Sequence, residues 1–289
     1  MADGLQVLVI GATGKQGGHV ARLLLRKGHR VRAFTRHPTA PAAQELAQLG
    51  AEIAVGDLTD RASLERAGAG VDAIFAMSTP FQAGLQAEVA QGIAVADAAK
   101  ALGVYLVFSS VASANQATGI PHFDTKWQIE QHIARIGVEA AILAPVYLME
   151  NVIVNHAAHL REGVYPTPLP PTLKVQQIAL DDNAAFDVLA LEQKARFVGK
   201  RIDLASDDPT EGEVADTLSR IIGKPIKHTQ IPLESVRMSS ADAAIMYAWF
   251  ARVGYNVDIP ALHRAYPEIA WHSYESWVRE QDWQAILGS

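Results

Sequence analysis

A chain of 289 residues that is 49% hydrophobic and 19% charged can bury a sizeable core, and at about 150 residues per domain it reads as one large or two smaller units. The balance of 25 Lys+Arg against 31 Asp+Glu, a net charge of −6, disfavours both disorder and a generally nucleic-acid-seeking surface. The absence of cysteine excludes disulfides, Cys-ligated zinc, iron–sulfur clusters and a thiol nucleophile within the chain, and fits a reducing compartment.

The opening MADGLQVLVIGATG has no basic region followed by a signal-length apolar core, and no apolar run approaches the ~20 residues of a membrane span. A cytoplasmic protein with no membrane segment is expected. Along the first half, Leu5–Ile10, Arg30–Phe34, Glu52–Val55, Ala73–Met77, Tyr105–Phe108 and Ala140–Leu143 are short, apolar and bounded by Gly, Pro or charge, which predicts buried strands. Helical stretches separate them. In Lys15–Lys27, for example, Gly17, Val20, Leu23 and Leu24 share a face and Gly28 is placed to stop the helix. Strands alternating with crossover helices predict an α/β fold with a doubly wound parallel sheet.

After Glu150 the rhythm breaks. Val164–Lys174 carries Pro166, Pro168, Pro170 and Pro171, and missing N–H groups with fixed φ predict a loop there. Gln176–Leu191 reads as a strand turning at Asp181–Asp182 into a helix, and Arg201–Leu204 as one more strand, both expected to rejoin the first unit. A helix over Glu211–Ile222 stopped by Gly223 and Pro225, an extended piece over Ile226–Ile231 and an aromatic tail with Trp249, Trp271, Trp277 and Trp283 follow. The expected organisation is residues 1–150 plus about 176–206 as a nucleotide-binding domain. Residues 151–175 and 207–289 would form a smaller C-terminal domain that closes a cleft.

The strongest local signal lies between the first strand and first helix. Gly11, Gly14 and Gly17 give G-x-x-G-x-x-G. Gly11 allows the tight turn, Gly14 lets a pyrophosphate approach the backbone, Gly17 permits close packing, and the helix N-terminus offers unpaired N–H groups to the anion. At the end of the second strand, where a ribose 2′-hydroxyl reader would be acidic, stands Thr35-Arg36-His37. A guanidinium there favours a 2′-phosphate, and so NADP over NAD; a solvated surface Arg is the alternative. Asp57, in Gly56-Asp57-Leu58, suits the adenine amino group, or simply caps a helix.

These segments, with Pro121-His-Phe-Asp-Thr-Lys126, Pro145-Val-Tyr-Leu-Met-Glu-Asn151 and Gly254-Tyr-Asn-Val-Asp258, resemble the NmrA-like family of atypical short-chain dehydrogenases/reductases over nearly the whole chain. The resemblance implies a Rossmann domain binding NADP(H) and a smaller C-terminal domain. It leaves two activities open, because the family includes reductases of quinones and related conjugated compounds as well as redox-sensing regulators that act through protein partners. By motif, Gly11, Thr13, Gly14, Lys15, Gln16 and Gly17 match the pyrophosphate loop, Arg36 the 2′-phosphate ligand, and Asp57 and Leu58 the adenine contacts. Ser78, Thr79 and Pro80 match the stretch along the ribose, Lys126 the lysine of the nicotinamide ribose, and Tyr147 to Glu150 the segment beside the nicotinamide.

The chain departs from the wider group where a Tyr normally precedes the Lys by four residues: His122 stands there. The i, i+4 spacing puts His122 and Lys126 on one helix face. His122 is then the candidate proton donor, with helix capping as its alternative, and Tyr147 is the second candidate. Ser109-Ser110 ends the fifth strand where relatives place a carbonyl-polarising Ser, and Ala144-Pro145-Val146 replaces the usual Arg-Pro-Gly. His156 and His159 have no third ligand with suitable spacing, so no metal is expected. No G-x-S-x-G elbow is present. Tyr247, Trp249 or Phe250 is a candidate wall of an apolar substrate pocket, and the Pro-rich loop 164–174 a candidate lid. The expected ligands are NADP(H) and a small molecule, with a regulatory protein partner as the alternative and oligomeric state open.

Overall fold

The computed structural model describes residues 4–288, so Met1–Asp3, the start of the stretch read for a targeting signal, lie outside the described residues. Contacts divide the chain into two compact units. One holds residues up to Ala117, Pro121–Ala144 and Asn183–Ile202; the other holds Thr118–Ile120, Pro145–Asp182 and the chain from Asp203 onward.

In the first unit the expected alternation is present: β1 (Gln6–Ile10), α1 (Lys15–Arg26), β2 (Arg30–Thr35), α2 (Pro41–Gln48), β3 (Glu52–Val55), α3 (Arg61–Gly68) and β4 (Ala73–Met77). A short α4 (Pro80–Ala83) and a long α5 (Leu85–Leu102) precede β5 (Tyr105–Ser109), α6 (Pro121–Ile136) and β6 (Ala140–Pro145). With a late seventh strand, Arg201–Leu204, these form one parallel sheet. The register sets Val7 between Val31 and Ala73, so β1 is central and its Val7–Ile10 side chains are at most 1% exposed. A strand covered on both faces needs apolar residues at consecutive positions, which explains the unbroken VLVI run.

Helix α1 ends as its sequence predicts, with Lys27 at the C-cap and Gly28 at φ +84°. Helix α5 is alanine-rich, and Gly92 lets it meet α6 closely: a Cβ there would lie 2.4 Å from the Ile129 side chain. Leu8, Ile74, Leu106, Val95 and Ile129 are among the buried side chains that join strands and helices into one core.

The second unit has smaller sheets. β7 (Tyr147–Leu148) leads into α7 (Asn151–Arg161) and β8 (Val164–Thr167), and β9 (Gln177–Ile178) pairs in parallel with β7. From Asn183 to Ile202 the chain returns to the first unit, where helix α8 (Leu180–Glu192) and the short α9 (Lys194–Phe197) precede β10 (Arg201–Leu204), the seventh strand of the large sheet. Helix α10 (Glu211–Ile222) follows, opened by a capping box between Thr210 and Glu213 and closed by Gly223, and β11 (Lys227–Gln230) pairs with β8. The chain ends in α11 (Leu233–Ser239), α12 (Ala241–Arg252), α13 (Ile259–Ala265), α14 (Tyr274–Glu280) and α15 (Trp283–Leu287). Trp277 and Trp283 pack with Met149, Leu160, Leu218 and Val278 in this unit's own core.

One expectation is corrected. Val164–Thr167, expected to be loop, is a strand despite Pro166. The carbonyls of Gly163 and Thr167 accept from Lys227 and Ile231, so the ladder runs through alternate residues. Pro166 sits on the intervening position of a strand with one neighbour, where its missing N–H costs no ladder bond. The aromatic tail is divided too: Trp249 is 4% exposed and packs against Phe250 and Tyr255, as core.

Candidate functional site

The strand order of the large sheet is β10-β6-β5-β4-β1-β2-β3, so the winding direction reverses between β1 and β4. In an open α/β sheet the carboxyl ends at that reversal leave a crevice, because the helices that follow β1 and β4 leave in opposite directions. A groove of about 370 Å³ lies there. It is lined by Ile10, Gly11, Thr13 and Gly14 after β1; Phe34 to His37 after β2; Gly56, Asp57 and Leu58 after β3; and Met77, Ser78 and Thr79 after β4, with Gln82 and Gln91.

The glycines of the first turn have separable reasons. Gly11 adopts φ +76°, which is unfavourable for any side chain with a Cβ. A Cβ on Gly17 would fall 2.4 Å from the Gly11 carbonyl oxygen and 3.0 Å from the Ala12 nitrogen, so the close approach is between α1 and the turn itself. Gly14 is the N-cap of α1 and offers no side-chain cap bond, and the first-turn N–H groups of a helix have no partner one turn earlier. This end of α1 is therefore suited to an anion. Gln16 is drawn inward, its amide donating to Ser109 Oγ at 2.5 Å.

Arg36 and Asp57 face the same groove. Asp57 Oδ1 accepts from the Thr59 backbone N–H at 2.8 Å and its hydroxyl at 2.7 Å, and these bonds, with a smaller contribution from the Arg36 charge, hold the carboxyl below its ordinary pKa. Oδ1 is thus occupied by the chain itself. No carboxylate stands at the end of β2.

Beneath the Ser78 wall Lys126 meets a partner that the sequence did not reveal, Glu88. Lys126, on α6, is 8% exposed and donates to the Ser78 carbonyl and, at 3.0 Å, to Ser78 Oγ; its third partner is Glu88 Oε1 at 2.9 Å. Glu88 is fully buried, and its other oxygen accepts from Thr125 at 2.5 Å. Burial lowers the Lys126 pKa and Glu88 offsets this in part. An ammonium has three donors, and all three are taken within the chain. A lone glutamate in the Ala-rich run of Leu85–Leu102 was the available signal.

Of the predicted residues, Gly11, Thr13, Gly14, Arg36, Asp57, Leu58, Ser78 and Thr79 line the groove; Lys15, Gln16, Gly17, Pro80 and Lys126 do not. Thr79 also caps α4, whose Phe81 is 80% exposed. His122 is half-buried one turn before Lys126, its ring edge-on to Phe123 and 6.0 Å from that of Phe81.

Tyr147 and Glu150 belong to the second unit. Glu150 Oε1 accepts from the Leu180 N–H and from the Trp277 indole, both within that unit. Tyr147 lines a separate pocket with Tyr165, Thr167, Leu169, Val175, Glu211, Tyr247 and Phe250. Its volume is about 10 Å³, room for roughly one water-sized group. Tyr165 donates to Glu211 Oε2 at 2.9 Å, and burial raises the Glu211 pKa to about 7. Tyr147 shares a hydrogen bond with Tyr247 and another with Asn155, and burial pushes its phenol well above the usual value. His156, edge-on to Tyr165, is pushed down to about 4 by burial. Among the described residues there is no cluster of three or more His, Asp or Glu that could hold a metal, and no helix is long and apolar enough to cross a membrane.

Comparison with known proteins gives a consistent family. The profile of the NmrA-like family matches residues 4–276. The chain is 30% identical over 237 residues to an NAD(P)H azoreductase of Xenophilus azovorans, covering 81% of this chain and 79% of that protein. It is 25% identical over 269 residues to an NmrA-like family domain-containing protein of Dictyostelium discoideum, covering 86% and 88%. Among solved structures, an NADPH-dependent quinone oxidoreductase from Escherichia coli, complexed with NADPH, superimposes with a TM-score of 0.80 at 23% identity over 94% of this chain and 98% of that one. The negative transcriptional regulator NmrA, in complex with NADP, gives 0.80 at 19% identity over 98% and 99%. At these identities the structural likeness concerns the fold. The chain belongs to the NmrA-like family.

Proposed function

We propose that this NmrA-like protein binds NADP(H) in the groove of its first unit and reduces a small conjugated carbonyl compound of the quinone type. The observation that carries the reading is the groove itself: a glycine turn crowded against its own helix, an uncapped helix N-terminus, and Arg36 where no carboxylate stands. The residues fit the cofactor on steric and charge grounds. The backbone N–H groups from Lys15 to Gly17 bind the pyrophosphate, with Thr13 and the Lys15 and Gln16 side chains beside them, while the Gly14 N–H closes the turn on the Gly11 carbonyl. Arg36 pairs with the 2′-phosphate and Asp57 accepts from the adenine, with Leu58 against the ring. Ser78, Thr79 and Pro80 run along the ribose. Lys126 acts on that wall through Ser78, which it fixes from beneath, and Glu150 holds the turn after Tyr147 by its bond to Leu180.

The bound nicotinamide would supply hydride. The chain's part is to orient the cofactor and to move a proton to the reduced oxygen. His122 is the donor favoured here, because the Tyr147 hydroxyl is already engaged with Tyr247. Reduction of a quinone demands little of that donor, since the hydroquinone anion is stabilised by its ring. Relatives named as an azoreductase and a quinone oxidoreductase support a reductase acting on conjugated acceptors.

A second reading is a non-catalytic NADP(H) sensor acting through a protein partner, favoured by the complete engagement of Lys126 with Glu88 and Ser78 and by the His in place of Tyr. One experiment separates them: loss of NADPH absorbance with purified protein across quinones and conjugated carbonyls, with NADH in parallel. Protein-dependent consumption that prefers NADPH is the expected result. Cofactor binding without consumption of NADPH by any acceptor would overturn the reductase and leave the sensor.

A further inference from the structure

We propose that His272 is a pH-sensitive clasp between the start of α8 and the end of α14: as an imidazolium it holds both, and as a neutral ring it holds one and lets α14 loosen from Glu150. The clasp is independent of the reductase reading, and all its residues belong to the second unit.

His272 stands in the loop before α14 with a carboxylate oxygen at each ring nitrogen. Nδ1 lies 2.5 Å from Asp182 Oδ1, and Nε2 lies 3.0 Å from Glu280 Oε2. Asp182 is 2% exposed, and its other oxygen accepts from the His272 backbone N–H at 2.9 Å and from Ser206 Oγ at 2.5 Å. Two carboxylates can both accept only from a ring that carries two N–H groups, which is the imidazolium. Glu280 is the loose end, because its side chain is 58% exposed at the last residue of α14.

A second link joins the same two elements. Glu150 Oε1 accepts from the Leu180 N–H, two residues before Asp182, and from the Trp277 indole, three residues before Glu280. His272 and Glu150 therefore cross-link the start of α8 to α14 in parallel, and release of one is felt at the other.

Loss of a proton leaves the ring one donor. Asp182 keeps it, since a buried carboxylate deprived of a partner is costlier than an exposed one, and the Nε2 lone pair then faces the Glu280 carboxylate. Glu280 turns to water, and α14 holds Trp277 on Glu150 without that support. The titratable groups around the ring are Asp182 from α8, Asp207 after β10, His263 from α13 and Glu280 from α14. Asp207 accepts from the backbone N–H groups of Asp208 and Tyr274. Burial lowers the pKa of His263, stacked on Trp271 at 4.5 Å, so it is neutral where His272 titrates. For His272 burial opposes the charged form, but the bond to Asp182 and the charges of both carboxylates outweigh it, and the pKa stands above the ordinary 6.5. The stabilisation is thus complete below about pH 6.5 and lost as pH rises through the folded value.

The test uses the full chain without cofactor. The His272 ring is titrated by NMR, and solvent exchange of the Trp277 indole N–H is followed from about pH 6 to 9 and corrected for its intrinsic base catalysis. His272 should titrate above 6.5, and the protection of Trp277 should fall by up to about fivefold across that titration, the range of one exposed ion pair. Glu280→Gln, at a site open to water, should remove the step and lower the His272 pKa, because an amide donates to the neutral ring as readily as it accepts from the charged one. His272→Gln should hold Trp277 at one level throughout; if that variant does not fold, Glu280→Gln decides. A His272 that titrates at or below 6.5, Trp277 protection that does not change as His272 titrates, or an identical step in Glu280→Gln would each overturn the clasp.

Discussion

Replacing Lys126 by Met tests the buried pair beneath the groove. Nζ lies 2.9 Å from Glu88 Oε1, and both side chains are almost wholly removed from water. At an effective dielectric of about 20 the gross attraction at that separation is roughly 6 kcal/mol, most of it offset by the cost of desolvating two ions. The informative quantity is the penalty for orphaning one partner, about 3–5 kcal/mol for a buried pair. Lys126→Met should cost that much in urea unfolding, because Glu88 keeps only its bonds to Ser78 and Thr125. A second change, Glu88→Leu on the same chain, should restore most of the stability, since two apolar side chains then fill the space without charge. It should not restore NADP(H) affinity if Lys126 fixes the Ser78 wall. Glu88→Gln adds a pH signature. The Lys126 pKa, already lowered by burial, falls further without its counter-charge, so the folded state releases the proton before the unfolded chain does. Stability of that variant should then rise with pH from the folded pKa up to about 10.4, and be lowest below it. A loss under 1 kcal/mol in Lys126→Met, or a double variant no more stable than the single, would refute the argument.

Other perturbations read separate links. Arg36→Ala should weaken NADPH binding about 10- to 100-fold, the range of one charge-assisted contact, and leave NADH within about twofold; equal losses in a fluorescence titration would remove Arg36 from the 2′-phosphate. Gly17→Ala must push the turn away from α1, since its Cβ would meet the Gly11 carbonyl at 2.4 Å, and should cost about 1–3 kcal/mol in thermal unfolding together with NADP(H) binding. Glu211 has a folded pKa of about 7 against an ordinary 4.5, so the unfolded chain loses this proton first. The corresponding stability, on the order of 3 kcal/mol, is present below pH 4.5 and lost as pH rises to 7. Urea unfolding of the wild type and of Glu211→Gln across that window should differ in slope; parallel curves would place Glu211 in a wetter setting.

Much of the first unit follows from the order of residues alone. Runs such as Val7–Ile10 and Ala73–Met77 leave no polar face, which requires strands covered on both sides and therefore crossover helices and a parallel sheet. The glycine turn, the missing carboxylate after β2, the helix stop at Gly28 and the capping box at Thr210 are equally local, because each depends on the conformation or chemistry of residues a few positions apart. Pro166 shows the limit of such reasoning: whether a proline is tolerated depends on which neighbour the strand meets and on which side of the ladder it falls. The same limit applies to the charged groups. Glu88 reaches Lys126 across 38 positions and Tyr165 reaches Glu211 across 46, so neither pairing has a sequence period to betray it. A buried carboxylate is read from a sequence as a surface one, and only the fold decides which partner replaces the water it has lost.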